Sequence, residues 1–378
     1  MLKSIKVKNF MGFKDELLFD LSKTRTYAFK ENLIKDKIVN KGIVYGRNAT
    51  GKSNLGLAIF DIVNVLTDNY KDKLLTIQNY INLDSEEDIA EFEYSFLLDG
   101  KTITYKYGKL DPLNIVYEEL LINNRVQLHF DVREDKDKVV MKLKGNNKIN
   151  LQPYINLYDL KTENYNLSLL KYVYRSDIWD KDSIIVKLFS FVNNMLWVRS
   201  LNFGNEFIGL TPNISNIEEI IINANKVEDF QKFLNDNGIN YKLQVGVRNG
   251  QQIICVKFKN RLVDLASVMS NGTAYLRLYY SWSILFDKVS FLYLDEFDAY
   301  YHYDTAEFIV KELEKYPNMQ TIITTHNTYL MKNDIVRPDA CFILSNNGIH
   351  CLSDCTNKEI REAHNLEKMY INGAFINE

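Results

Sequence analysis

Gly46-Arg47-Asn48-Ala49-Thr50-Gly51-Lys52-Ser53 is the stretch whose reading decides the fold. It matches the phosphate-loop pattern G-x-x-x-x-G-K-[ST] at every fixed position. Its surroundings suit it: Ile43-Val44-Tyr45 reads as a short buried strand before it. Ser53 to Leu66, apolar almost all round, reads as a helix packed on a sheet after it. Gly46 and Gly51 let the backbone fold tightly around an anion with no β-carbon in the way. The loop amides and the helix N-terminus then point at phosphate. Lys52 supplies a point charge to the outer phosphates, and the Ser53 hydroxyl can ligate Mg2+.

The natural second half lies far downstream. Phe291-Leu292-Tyr293-Leu294-Asp295-Glu296 puts four apolar residues in a central strand and two carboxylates at its C-terminal end, where open α/β sheets hold their ligands. Asp295 would hold Mg2+ directly or through water, and Glu296 would orient and deprotonate an attacking water. Alone, an apolar run followed by Asp-Glu is a common strand end; beside a phosphate loop it becomes a site. Ser270-Asn271-Gly272-Thr273 opens a helix before this strand, although Ser, Gly and Thr there are also ordinary capping residues. Thr321-Ile322-Ile323-Thr324-Thr325-His326 puts a histidine at the end of the next strand. Phosphate loop, Ser-x-Gly, Asp-Glu, then His is the motif order of the ABC-type ATPases.

Through these motifs the chain resembles the ABC/SMC-like ATPases of the AAA class found in abortive-infection and other anti-phage operons, of the RloA/AbiLi type; the ATPase partners of the PARIS and Septu systems look similar. The opening Ile5-Lys6-Val7-Lys8-Asn9-Phe10, the loop from Tyr45 to Asn54, Asp295-Glu296-Phe297-Asp298, Thr324-Thr325-His326-Asn327 and the tail Asn365-Leu366-Glu367-Lys368-Met369-Tyr370 carry the likeness. It covers roughly residues 1–130 and 245–378. The resemblance implies ATP and Mg2+ as ligands and two heads stacked head to tail as a homodimer or higher homo-oligomer. By that likeness Gly46 to Asn54 bind nucleotide, and Ser270 and Gly272 of one chain reach the γ-phosphate held by Lys52 of another. Asp298 would then line the interface and His326 would sense the γ-phosphate. The signature departs from the family pattern, with no Leu-Ser-Gly-Gly core and Asn271 in place of a glycine, and no glutamine loop is recognised. His302 reads as a packing residue.

Around these motifs the expected fold class is α/β, an ABC-type P-loop NTPase head with a mixed sheet and an antiparallel β-subdomain, split by a mainly helical insertion. Residues 1–145 and 241–378 are the two halves of the head, and 146–240 the insertion. Leu2 to Phe10 and Glu16 to Leu21 read as antiparallel strands about a Met11 to Lys14 turn. Lys23 to Lys41 reads as a polar loop with solvated lysines. Ala90 to Leu98, Asp99-Gly100 and Lys101 to Tyr107 form a hairpin; Ile115 to Ile122, Val126 to Val132 and Lys138 to Leu143 extend it, up to a break at Lys144 to Lys148. Helical periodicity is read over Asn164 to Tyr174, Ile184 to Val198 and Ile217 to Leu234, without a sustained heptad. A second hairpin, Tyr241 to Val247 and Gln251 to Phe258, turns at Asn249-Gly250. Then come a helix from Thr273 to Leu285, the Phe291 strand, a helix from Thr305 to Lys315, the Gln320 to Thr324 strand, and a hairpin from Cys341 to Leu352. Strand-helix alternation here implies a parallel sheet.

Composition bounds the function. The 378 residues carry 46 Lys plus Arg against 49 Asp plus Glu, a balance that argues against a strongly basic nucleic-acid binder while leaving room for a local basic groove. The longest charge-free run, Tyr316 to Met331, is too short and too polar to span a bilayer. Cys255, Cys341, Cys351 and Cys355 are scattered, and Cys351 with Cys355 lacks a second pair for a metal site; reduced thiols in a cytoplasmic protein are expected. The 24 Tyr and 21 Phe read first as core. Those around the motifs, at positions 275, 279, 280, 300, 301 and 303, read second as partner contacts. The first functional expectation is therefore an ATPase that senses or scaffolds in a defence system with a separate, nuclease-like effector. The alternative is a RecF-like repair or recombination ATPase that clamps DNA. A transporter motor and a non-hydrolysing nucleotide-gated binder stand behind both, the latter opposed by intact Lys52, Ser53, Asp295 and Glu296.

Overall fold

The computed structural model describes residues 1–69, 77–134, 139–143, 149–154, 167–176, 179–199, 206–210, 216–299 and 301–375. In chain order the N-terminal part runs β1 (Leu2–Lys8), β2 (Leu17–Asp20), β3 (Ile34–Lys35), β4 (Ile38–Val39), β5 (Lys41–Tyr45), α1 (Lys52–Leu66), β6 (Ala90–Leu98), β7 (Lys101–Lys109), β8 (Ile115–Ile122), β9 (Arg125–Asp131) and β10 (Val140–Met141). The middle part runs α2 (Leu169–Tyr174), α3 (Ile184–Asn193), β11 (Met195–Arg199), β12 (Glu206–Gly209), α4 (Glu218–Asn223) and α5 (Val227–Asp236). Then follow β13 (Leu243–Arg248), β14 (Gln251–Phe258), β15 (Arg261–Asp264), α6 (Leu265–Val268), α7 (Asn271–Ser283), β16 (Phe291–Asp295), α8 (Tyr303–Leu313), β17 (Gln320–Thr325), β18 (Cys341–Ser345), β19 (Gly348–Cys351) and α9 (Leu366–Ile371).

Two seven-stranded sheets organise the chain. The first is antiparallel, in the order β10-β9-β8-β7-β6-β1-β2. Its hairpin turn at Asp99-Gly100 takes both residues to positive φ, 48° and 70°, the twist that a two-residue connection needs. The second has the order β12-β11-β16-β17-β5-β18-β19. Its five inner strands are mutually parallel, and the edge strands β12 and β19 run antiparallel. The strand before the phosphate loop, β5, is thus separated from the carboxylate strand β16 by β17, so three successive C-terminal strand ends face one cleft. This is the α/β architecture of an ABC-type P-loop NTPase head.

Helix α1 lies between the two sheets, which explains its all-round apolar surface: every residue from Leu55 to Leu66 is buried. The one acidic residue among them, Asp61, is fully buried and pairs with the equally buried Lys109 of β7 at 3.0 Å. Tyr80 and Tyr107 donate their hydroxyls to the same carboxylate at 3.0 and 2.8 Å. Tyr94 donates to the Ala58 carbonyl at 2.6 Å. The antiparallel sheet is therefore bolted by polar contacts to the helix that carries the phosphate loop.

Several sequence expectations are corrected. The helix expected over Ile184 to Val198 ends at Asn193, and Met195 to Arg199 is β11, which pairs in parallel with β16 inside the central sheet. A short apolar run such as Met195-Leu196-Trp197-Val198 has no period that separates helix from strand. This part of the 146–240 segment is consequently built into the head. Ile217 to Leu234 is two helices, divided at Asn225 with φ 56°. Lys23 to Lys41 holds the small β3–β4 pair, and Lys41 is buried rather than solvated. β15 adds a third strand to the Asn249-Gly250 hairpin. His302 does not pack: its side chain is 76% exposed. Residues 138, 144–148, 164–166 and 300 lie outside the described residues. Tyr275 and Tyr279 are core, whereas Tyr303 is 57% exposed. All four cysteines are buried and free. No helix among the described residues is long and apolar enough to cross a membrane.

Candidate functional site

The loop between β5 and α1 is held by its own sequence. Ala49 and Gly51 take positive φ, 64° and 99°. A β-carbon at Gly46 would stand 2.6 Å from the Thr50 hydroxyl and 2.8 Å from the Leu344 carbonyl oxygen, so only glycine fits beside β18. Thr50 donates its hydroxyl to the Arg47 carbonyl at 2.9 Å and closes the turn. Lys52 opens α1 and is buried. Its ammonium donates to the carbonyls of Gly46 and Arg47 at 2.9 and 3.1 Å. It also meets His326 Nε2 at 2.9 Å.

Opposite the loop stand the carboxylates. Asp295 ends β16 with no exposed surface. Its Oδ2 accepts the Ser53 hydroxyl at 2.7 Å, across 242 positions of sequence, and its Oδ1 accepts the Thr324 hydroxyl at 2.9 Å. Burial pushes its carboxyl above the usual carboxylate range, while Ser53, Arg199 and Thr324 pull the other way. Glu296 follows at φ 49°, a left-handed turn that lifts it off the strand. Its amide donates to Thr324 Oγ1 at 2.8 Å. Thr324, on β17, thus fixes both members of the pair. Tyr293 of β16 anchors α1 by donating to the Lys52 carbonyl at 2.7 Å.

His326 caps the end of β17. Burial, then the positive charge of Lys52, holds its imidazole below the ordinary histidine value, with Glu296 and Asp298 opposing. A neutral ring suits its contact with Lys52, which needs an acceptor at Nε2. Lys52 is pushed down by burial and pulled up by Glu296 and Asp295. Asp298 accepts the Thr325 hydroxyl at 2.7 Å, and burial raises its carboxyl. Asn48, Glu296, Asp298, Tyr301 and His326 line one cleft together. Phe13, Lys14, Thr50, Asn54 and Asn346 line a second on the other side of the loop.

The structure therefore brings together Gly46 to Asn54, Asp295, Glu296 and His326. It does not bring Ser270 and Gly272 there within one chain: they open α7, where Ser270 is exposed and accepts the Thr273 amide at 3.3 Å. Sequence reasoning missed Thr324 as the clamp of the carboxylate pair, and Arg199, whose guanidinium lies 3.5 Å from Asp295 and 3.7 Å from Glu296. The signal for Arg199 was a cation placed directly after an apolar run that is a strand.

A hydroxyl hydrogen-bonded to a buried carboxylate, both hard oxygen donors at a helix start and a strand end, is a donor set that fits Mg2+. The loop amides and Lys52 form a cradle for a triphosphate. Glu296 lines the cleft, with Arg199 at 3.7 Å and His326 at 4.0 Å from its carboxylate.

Residues 163–332 match the family described as "AAA domain, putative AbiEii toxin, Type IV TA system". The match includes Asp295, Glu296 and His326 and leaves out the phosphate loop. No curated protein matches. Among solved structures, the chain is similar to the SMC head domain from Thermotoga maritima at 17% identity and TM-score 0.45, covering 93% of this chain and 98% of that one. It is similar to an Smc head with an extended coiled coil bound to the C-terminal domain of ScpA, from Pyrococcus furiosus, at 13% identity and TM-score 0.47, covering 93% and 97%. It is also similar to the recombination mediator RecF with ATP, of the RecFOR pathway, at 15% identity and TM-score 0.41, covering 93% and 99%.

Proposed function

We propose that this protein binds and hydrolyses ATP as an ABC/SMC-like ATPase, using Lys52 and the loop from Gly46 to Asn54 for the phosphates, Ser53 and Asp295 for Mg2+, and Glu296 as general base. The observation that carries the reading is the 2.7 Å contact of Ser53 with Asp295, which joins loop and strand end into one metal-sized donor set. When bound, Mg2+ would draw charge from the β- and γ-phosphate oxygens. The chain's own groups do the rest. Loop amides orient the triphosphate, Thr324 fixes the Asp295 carboxylate and the Glu296 backbone, and Glu296 takes the proton of the attacking water. Once Lys52 turns from the loop carbonyls to the nucleotide, His326 loses the donor at Nε2, takes the Nε2–H tautomer and donates toward the γ-phosphate. Ser270, exposed, and Gly272, half-buried, both at the start of α7, complete the site from a second head stacked head to tail.

Lys52→Ala should abolish ATP binding in a fluorescent-nucleotide titration. Glu296→Gln should keep binding, lower turnover by about 10²–10⁴, and accumulate an ATP-bound dimer measurable by light scattering. Normal hydrolysis by Glu296→Gln would remove Glu296 as the base. A monomer under those conditions would remove the head-to-tail arrangement.

The biological reading that fits best is a sensor or scaffold subunit of an anti-phage, abortive-infection system that acts with a separate nuclease-like effector. Copurification with products of neighbouring genes tests it; full phage restriction by this chain alone would count against it. One observation favours the second reading, a RecF-like DNA clamp. In the β13–β15 sheet Lys242, Arg248, Lys257, Lys259 and Arg261 are exposed with Asp264 as the single acidic residue of 241–264. Salt-dependent binding of duplex DNA in the presence of ATP, lost on reversing these charges, would establish it.

A further inference from the structure

We propose that Arg199 is the resident counter-cation of the Asp295–Glu296 pair: a positioning residue that holds both carboxylates and makes divalent-metal binding conditional on nucleotide. The inference rests on the metal and base roles just proposed for those two residues.

Arg199 is the last residue of β11 and stands in register with Asp295 across the parallel pair. Its side chain is 26% exposed, and its Nε is buried. Nε is 3.5 Å from Asp295 Oδ2, and Nη2 is 3.7 Å from Glu296 Oε2. Yet Nε is buried and makes no hydrogen bond among the described residues. The oxygens of Asp295 are already served by the hydroxyls of Ser53 and Thr324. Arg199 is therefore not there to satisfy a lone pair. What it supplies is charge, shared between a fully buried carboxylate and its partly exposed neighbour, which would otherwise repel each other.

Lys52 acts on the pair only through space and makes no direct ion pair with either carboxylate among the described residues. Its ammonium is turned to the carbonyls of Gly46 and Arg47 and to His326. Arg199 also lies on the same oxygen of Asp295 that meets Ser53, the side where the metal would be held. A bare divalent cation entering between Ser53 and Asp295 meets a guanidinium at close range. A cation accompanied by a triphosphate does not, because the phosphates compensate both. A loosely tethered Arg, with an unpaired Nε, can shift between these states.

The test uses the full chain and Mn2+ alone as probe, its binding followed by electron paramagnetic resonance without nucleotide. R199Q should bind Mn2+ about tenfold or more tighter than the wild type, the scale of removing one close cation–cation repulsion from a partly buried site. R199Q/D295N should lose that gain. With MgATP, R199Q should show kcat reduced about tenfold or more with little change in KM, and R199K should recover most of the wild-type discrimination against Mn2+. Equal Mn2+ affinity in wild type and R199Q, or a gain that survives D295N, overturns the proposal. If R199Q does not fold, R199K carries the test through kcat: the charge without the planar fork should keep Mn2+ weak but lower kcat, and tight Mn2+ binding or unchanged kcat would refute it. Failure of the underlying ATPase reading looks different: wild type and K52A would then handle ATP alike, whatever Mn2+ does.

Discussion

The buried pair between Asp61 and Lys109 gives the sharpest energetic prediction. Both side chains have no exposure, and their closest atoms are 3.0 Å apart. Lys109→Met leaves a carboxylate in the dry layer between α1 and the antiparallel sheet. Tyr80 and Tyr107 still donate to it, so the loss should fall near the lower end of the about 3–5 kcal/mol typical of an orphaned buried charge. Asp61→Asn keeps an acceptor for one phenol, obliges the other hydroxyl to turn and accept from the amide NH2, and leaves the ammonium without its partner. Burial already pushes Lys109 down, so that lysine escapes by deprotonation, and about 2–3 kcal/mol is expected. The double variant Asp61→Asn/Lys109→Met holds no charge and leaves each phenol a partner once one hydroxyl has reversed its direction. It should lose about 1–2 kcal/mol, less than either single change. Urea unfolding followed by tryptophan fluorescence reads this, because Trp197 and Trp282 are buried in the same head. Free energies are compared at a common m-value. Two single losses that simply add in the double variant would refute the reasoning and reduce the pair to two independent packing residues.

Other expectations concern the core and its pH response. Lys41 donates to the Tyr316 and Met319 carbonyls and the Thr321 hydroxyl, and burial pushes it from 10.5 down to about 7. Between those values the unfolded chain binds more protons than the folded one, so this group makes stability rise with pH from about 7 to 10.5. Lys41→Met should flatten that rise in urea midpoints taken across the window, and an unchanged slope would contradict it. At Gly56 an added β-carbon would stand 2.7 Å from a ring carbon of Tyr293 and 2.8 Å from the Trp197 indole nitrogen. Gly56→Ala should therefore cost about 1–3 kcal/mol by overpacking, despite alanine's better helix propensity, and a raised melting temperature would show that the sheet yields.

Much of the head was legible because its residues answer to short-range rules. The phosphate loop and the hairpin turns at Asp99-Gly100 and Asn249-Gly250 each announce themselves within a dozen residues, and the β16–α8–β17 alternation shows between Phe291 and Thr325. The largest failure has a clear physical root. Met195 to Val198 is apolar on both faces because it is an inner strand, and a buried strand loses the alternation that identifies it. Missing that strand hid Arg199, whose meaning depends on register with a residue nearly a hundred positions away. Thr324 was quoted in a motif but not assigned, since a threonine at a strand end has no signature until its hydroxyl is seen between Asp295 and the Glu296 amide. The exposure of His302 was likewise invisible: nothing local separates a histidine that packs from one that merely precedes a helix.

Ser270 has a consequence for anyone dissecting the site by alanine substitution. A hydroxyl offers one proton and two lone pairs. At Ser270 a lone pair is already committed to the Thr273 amide, and the hydroxyl also touches Thr273 Oγ1 at 2.9 Å. The remaining capacity is what a phosphate from a second chain could use, so one atom both terminates a helix and would signal across a dimer. Ser270→Ala confounds the two, because it unravels a turn and silences a contact together. Ser270→Asp separates them: it preserves the cap and presents a phosphate with repulsion. A protein that keeps its melting temperature but no longer pairs on ATP would show the helix start acting as a relay, and would put the exchange of messages between chains on a single oxygen.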